Sequence, residues 1–308
     1  MTDLVTLGET MVSLRSEGPL TIPGALTARI AGAESNVCVG LARLGHAVRW
    51  VSRVGDDPYG RALVGALRAE NVDVTGVVVD PSRPTGLMVA EQRTADLTTV
   101  SYYRAGSAAS ALGPEDVVRL GPARILHVTG ITPALSPSAG VAVARAVEDT
   151  SYSLVSLDVN HRARLVDRDA LAALLRPLLG HVSLVVGSHD ELEIVADGGA
   201  RELVARGIEV VETRGGDGAA AWVPRADGTA EVVEVPALPV TVVDTVGAGD
   251  AFTAGYLSAT LDGLPTAQRL ARATGVAAFC VSTRGDYAGL PTRAELAHLA
   301  VQRGTTLR

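Results

Sequence analysis

The stretch that decides the fold spans residues 124–186: RILHV (124–128), SAGVAVARAV (138–147), SLVSLDV (153–159), DALAALLRPLL (169–179) and VSLVV (182–186). Apolar runs of strand length alternate here with longer helical patterns, a β-α-β-α-β rhythm. Strands that read as continuous apolar runs are buried on both faces, so the segment predicts an α/β fold with a mostly parallel sheet covered by helices on each side. Toward the C-terminus the pattern turns helical from Ala248 onward, through 251–261, 267–281 and 293–302. Residues 13–29 and 84–104 break the rhythm. They read as extended, partly polar strands (85–92 and 97–104 in the second) with no crossover helix between them, which suits a small β-sheet flap over one edge of the main body. A simple surface hairpin fits the same pattern.

The 308 residues are 47% hydrophobic and 20% charged, enough to bury a large core and too apolar for a disordered chain. A formal charge of -7 argues against general nucleic-acid binding, which needs a basic surface to displace counterions. The first residues, with an acid at Asp3, lack the basic start of a signal peptide, and no window is long and apolar enough for a membrane span. Cys38 and Cys280 each sit in an apolar, helix-like stretch without a CxxC or histidine partner, so buried free thiols are expected, in keeping with a cytoplasmic protein. All 27 basic residues are arginine. Chemistry that depends on a lysine amine, such as a P-loop, a protein-kinase strand lysine or a Schiff base, is therefore excluded.

The strongest local signal is DTVGAGDAF (244–252), after an apparent strand at 240–243 and at the start of a helical pattern running to 261. Glycines at 247 and 249 let backbone N–H groups crowd around an anion, and the helix N-terminus adds its positive dipole end. An aspartate in that first turn, Asp250, stands where it can take a proton from an attacking hydroxyl while Gly247, Ala248 and Gly249 hold the developing charge. A tight turn followed by an acidic first helical residue would look the same in isolation.

The full nonapeptide resembles the C-terminal signature of the ribokinase-like (PfkB-type) carbohydrate kinases, and the resemblance extends over nearly the whole chain. GAESN (32–36), followed by a helix at 37–44 and VGDDPYG (54–60), is similar to the N-terminal signature, in which Gly32 and Asn36 would grip sugar hydroxyls. GSHDE (187–191) resembles the N-x-x-E motif with Ser188 in place of asparagine, and implies that Glu191 orders magnesium and phosphates through water. TRGGDG (213–218) is similar to the nucleotide loop, placing Thr213, Gly215 and Gly218, with Ser188 and Gly249, at the nucleotide. A dinucleotide fingerprint at 216–221 fails because 219–223 reads as a strand where a helix is required.

The same resemblance implies a ribokinase-like three-layer sandwich, one domain over residues 1–308 with a lid from about 13–30 and 84–106. It also implies ATP and Mg2+, some relatives' monovalent cation near Thr283 and Asp286, a small sugar substrate, and a homo-oligomer. Within the family, YYRAGSA (102–108), GITPALS (130–136) and LDVNHR (157–162) resemble the 2-keto-3-deoxygluconate kinases. That implies Tyr102, Arg104 and Arg162 at the substrate, the arginines meeting its carboxylate. Met88 stands where those kinases carry a tyrosine. Fructokinases and other ketose or ribose kinases share the D-x-N-x-R element, and a non-catalytic sugar or nucleotide sensor on the same scaffold is a third reading.

Overall fold

The computed structural model describes residues 1–94 and 97–300. In chain order the strands are β1 (Thr2–Leu7), β2 (Met11–Arg15), β3 (Thr27–Ala31), β4 (Val48–Val51), β5 (Arg53–Gly55), β6 (Val78–Asp80), β7 (Leu87–Thr94), β8 (Leu97–Tyr103), β9 (Ala123–Thr129), β10 (Leu154–Asp158), β11 (Leu184–Ser188), β12 (Glu209–Thr213), β13 (Ala219–Pro224) and β14 (Ala230–Val235). The helices are α1 (Ala33–Arg43), α2 (Pro58–Ala69), α3 (Pro114–Val117), α4 (Pro137–Val147), α5 (Arg168–Leu175), α6 (His189–Val195), α7 (Gly199–Ala205), α8 (Ala248–Leu261), α9 (Thr266–Val281) and α10 (Arg293–Leu296).

The main sheet has eight strands in the order β14-β13-β12-β11-β10-β9-β1-β4, parallel from β4 through β12 and closed by the antiparallel hairpin β13–β14. Successive residues of its strands bury into opposite faces, as a pleated strand requires. Leu4, Leu184 and Val211 join a core with Leu41 of α1, Leu257 of α8 and Val276 of α9. Val5, Val185 and Val210 join the other, with Val143 of α4, Leu171 of α5 and Leu203 of α7. This double burial is what the uninterrupted apolar runs of 124–186 signalled. Cys38 and Cys280 are buried free thiols, and no helix among the described residues is long and apolar enough to cross a membrane.

The two segments that broke the rhythm form a separate four-stranded sheet in the order β3-β2-β7-β8. Between β2 and β3 the chain is irregular, so the extended reading of 13–29 holds only at its ends. Met11, Ala31, Met88 and Ala90 make a small apolar cluster on this sheet.

Two expectations need correction. Residues 240–243 are not a strand: Val242 and Val243 are 60% and 50% exposed, and the Val243 N–H donates to the Val281 carbonyl at 2.7 Å at the end of α9 instead of to a sheet neighbour. The antiparallel hairpin has already ended the sheet, leaving those valines no partner strand. The helix expected over 293–302 is α10 followed by a 3-10 turn at Ala297–Ala300, and its last two residues lie outside the described residues.

Candidate active site

A cavity of about 890 Å3 opens between the small sheet and the carboxyl ends of the parallel strands. Ligands of open α/β sheets bind at this end because the loops leaving the strands converge there.

Its floor is the start of α8. Gly247 precedes the helix at φ 78, and a Cβ there would stand 2.1 Å from the Asp286 carbonyl oxygen, so the turn needs glycine on both counts. Gly249 differs: a Cβ would meet nothing within 4 Å, which leaves open space directly above the first-turn N–H groups. Asp250, 6% exposed, sits beside that space. Its Oδ2 accepts from Asn36 Nδ2 at 2.7 Å and its Oδ1 from Asn160 Nδ2 at 3.4 Å. Burial pushes the Asp250 carboxyl up to about 6, against the opposing pull of Asn36 and of the Arg162 charge.

Asn36 comes from the first turn of α1. Gly32 before it is required by packing, since a Cβ would lie 2.7 Å from the Glu9 carbonyl oxygen. Asn160 follows β10 in the left-handed region, φ 44, a conformation asparagine tolerates better than most side chains, and it also donates to Asp158 at 3.1 Å. The carbonyl oxygens of both amides, Asn36 Oδ1 and Asn160 Oδ1, are buried without a partner. Two unused acceptors beside a carboxylate form a site for a ligand rich in hydroxyl donors. Asp158 is raised well above the usual carboxylate range by burial and then by the neighbouring Glu191 and Asp250 charges.

The arginines differ in setting. Arg104 ion-pairs with buried Glu9 at 2.6 Å and lies 5.7 Å from the Tyr102 ring centre. Glu9 also accepts from Ser107 Oγ at 2.6 Å. Arg162 is exposed to the cavity. Met88 pairs with Tyr102 across β7 and β8 and faces the same space.

The cavity therefore brings together Gly32, Asn36, Met88, Tyr102, Arg104, Arg162, Glu191, Thr213, Gly247, Ala248, Gly249 and Asp250. Ser188, Gly215 and Gly218 do not line it. Ser188 caps α6, with Glu191 Oε2 accepting from its N–H at 2.8 Å and its hydroxyl at 3.0 Å, while Glu191 Oε1 accepts from the His161 N–H at 2.8 Å. Gly218, φ 99, is a hairpin requirement, because a Cβ would lie 2.1 Å from the Val235 carbonyl oxygen. Sequence reasoning did not single out Glu9, Arg15, Glu34, Asp158 or Asn160, and it named Asp286 only for a monovalent cation. The D-x-N at 158–160 carried a signal for two of them; the rest are assembled by contacts distant in sequence.

The pfkB family carbohydrate kinase model matches residues 1–293. The chain belongs to that family. This carbohydrate kinase is 35% identical to the 2-dehydro-3-deoxygluconokinase of Bacillus subtilis (strain 168), over 98% of the chain and 96% of the relative. It is 32% identical to a fructokinase of Klebsiella pneumoniae, over 94% and 96%. The crystal structure of a PfkB protein from Polaromonas sp. JS666 superposes with a TM-score of 0.84 at 35% identity, covering 96% of this chain and 99% of that one. The expected family and ribokinase-like α/β fold are thus established, and the protein is a sugar kinase.

Proposed function

We propose that this kinase transfers the γ-phosphoryl group of ATP to a hydroxyl of a small sugar acid, 2-keto-3-deoxygluconate giving its 6-phosphate, with Asp250 as the base. The observation that carries the reading is the Asp250 carboxylate, buried beside the open turn at Gly249 and flanked by two unpartnered amide oxygens. Asn36 and Asn160 would accept sugar hydroxyls and orient one toward the phosphorus. That oxygen forms the new P–O bond, the bond to the β-phosphate oxygen breaks, ADP leaves, and the hydroxyl proton passes to Asp250. The N–H groups of 247–249 and the α8 dipole stabilise the equatorial oxygens.

Magnesium fits as an ion carried mainly by phosphates and water, since no group of three or more His, Cys, Asp or Glu among the described residues is placed to hold a metal. Bound with the nucleotide it would neutralise phosphate charge. Glu191, whose two oxygens are engaged by the His161 and Ser188 N–H groups, would reach it through water. The acid substrate is favoured over a ketose by Arg162, which faces the cavity with its charge available, and by the similarity to a 2-dehydro-3-deoxygluconokinase. In this reading the small sheet is a lid within a single domain, and its edge strand β8 is the natural place for a second copy to pair; light scattering at working concentration that gives a monomer mass overturns the dimer. Steady-state turnover with the sugar acid, fructose and ribose tests the substrate, and a preference for fructose removes the acid assignment.

A further inference from the structure

Arg15, the last residue of β2 in the small sheet, spans two carboxylates of the main body. Its NH1 donates to Asp244 Oδ2 and its NH2 to Asp286 Oδ1, each at 2.9 Å. These contacts join positions 229 and 271 residues apart in sequence. Both carboxylates belong to the frame of the α8 turn. Asp244 Oδ1 accepts from the Val246 N–H at 3.1 Å and its Oδ2 from the Gly285 N–H at 3.2 Å. Asp286 presses its carbonyl against Gly247. The three side chains are 19%, 17% and 7% exposed, so solvent screens the bridge less than it would a surface pair.

We propose that Arg15 is a positioning residue that couples the seating of the small sheet to the geometry and charge of the anion-binding turn at 247–250. With the sheet seated, one guanidinium holds Asp244 and Asp286 together and fixes the turn from both sides. Lifting β2 leaves two neighbouring carboxylates uncompensated near Asp250, which loosens the turn and raises the proton affinity of the base. The coupling so makes the turn competent only when the cavity is covered. It rests on the phosphoryl-transfer reading for its kinetic consequence, though not for its structural one.

The charges around this group are defined. Asp286 faces Arg15 from β2, Asp244 ahead of α8, Asp250 within α8 and the Cys280 thiol of α9; its carboxyl is raised to about 6, chiefly by burial, with Arg15 pulling it down. Asp250 faces Glu34 of α1, Asp158 at the end of β10 and Arg162 beyond that strand. Cys280 is pushed up to about 12 and stays neutral.

The test compares Arg15→Met, Arg15→Lys and Asp286→Asn in the full chain. Arg15→Met should lower kcat at least about tenfold with a smaller change in the KM for ATP, as misplacing a catalytic turn does. It should also move the acidic limb of the pH profile upward by about half a unit. Asp286→Asn removes a negative charge near the base and should move that limb downward. Opposite signs are the signature of charge coupling, and simple loss of packing would not produce them. Arg15→Lys should recover part of the limb position. Hydrogen exchange read without turnover should show amides 245–250 exchanging at least about tenfold faster in Arg15→Met, with β9 unchanged. Limb shifts of the same sign, or faster exchange spread evenly over the chain, overturn the proposal. If Arg15→Met does not fold, Asp286→Asn decides by the direction of its limb and by exchange at 245–250. If the wild-type protein transfers no phosphoryl group, the function reading fails and exchange alone decides the coupling.

Discussion

Replacing Asp250 by asparagine should stabilise the protein at pH 8 while nearly abolishing its turnover. The folded carboxyl titrates at about 6 against 3.8 for the free side chain, a difference near two units caused chiefly by burial. The sign follows from the raised value: the stability contributed by this group is complete below 3.8 and is lost as pH rises through 6. At pH 8 the native state therefore carries a penalty of about 3 kcal/mol for holding the charge, and about half of that remains at pH 5. Asparagine never carries it. One offset applies, because Asn36 and Asn160 both donate into Asp250, and one of them must turn its own unpartnered oxygen toward the new amide. A net gain of about 1 to 3 kcal/mol is expected at pH 8, or about 2 to 4 °C in the melting temperature of a chain this long. Turnover should fall on the order of 10²- to 10⁴-fold from loss of the base. Melting of both proteins at pH 8 and pH 5, with turnover measured beside it, checks the reasoning. A mutant that melts lower at pH 8, or whose advantage is identical at both pH values, refutes it.

Three further outcomes follow from the same geometry. The kcat/KM of the wild-type protein should decline on the acid side with a midpoint near 6, because protonated Asp250 cannot accept the hydroxyl proton; a pH profile flat down to 5 would remove Asp250 as the base. Gly249→Val should melt within about 1 °C of the parent yet lose nucleotide affinity, since its Cβ meets only the cavity, whereas Gly247→Ala should destabilise by roughly 1 kcal/mol or more through its left-handed φ and the Asp286 carbonyl; melting curves and ATP titration separate the two. Arg162→Leu should weaken use of the sugar acid by roughly 2 to 5 kcal/mol relative to fructose while leaving the KM for ATP nearly unchanged, and an unaltered acid-to-fructose ratio of kcat/KM would count against its role.

The parallel sheet was legible because its strands are buried on both faces, so 124–128, 153–159 and 182–186 read as unbroken apolar runs with helical spacing between them. The small sheet was visible only as an interruption of that rhythm, since its strands are half-exposed and follow no long apolar run. The stretch 240–243 misled for the same reason in reverse: valines have strand character wherever they occur, and only the sheet's termination at β14 leaves these exposed. At the site, glycine chemistry and the helix start pointed to the α8 turn, and the placement of Gly249 shows that its freedom is used for open space and not for an unusual dihedral. The partners that tune the site were invisible because each depends on pairing across the fold. Arg15 meets Asp286 across 271 residues, and Glu9 meets Arg104 by ion pairing between the β1–β2 junction and the end of β8.

With ATP bound, this cavity should phosphorylate a sugar acid. A coupled ATP-consumption assay over 2-keto-3-deoxygluconate, fructose, ribose and a nucleoside, with the phosphorylated product identified, tests it most directly. The keto-deoxy acid should give the highest kcat/KM and yield a 6-phosphate. Highest kcat/KM on fructose, or no sugar-dependent ATP consumption at all, would contradict it.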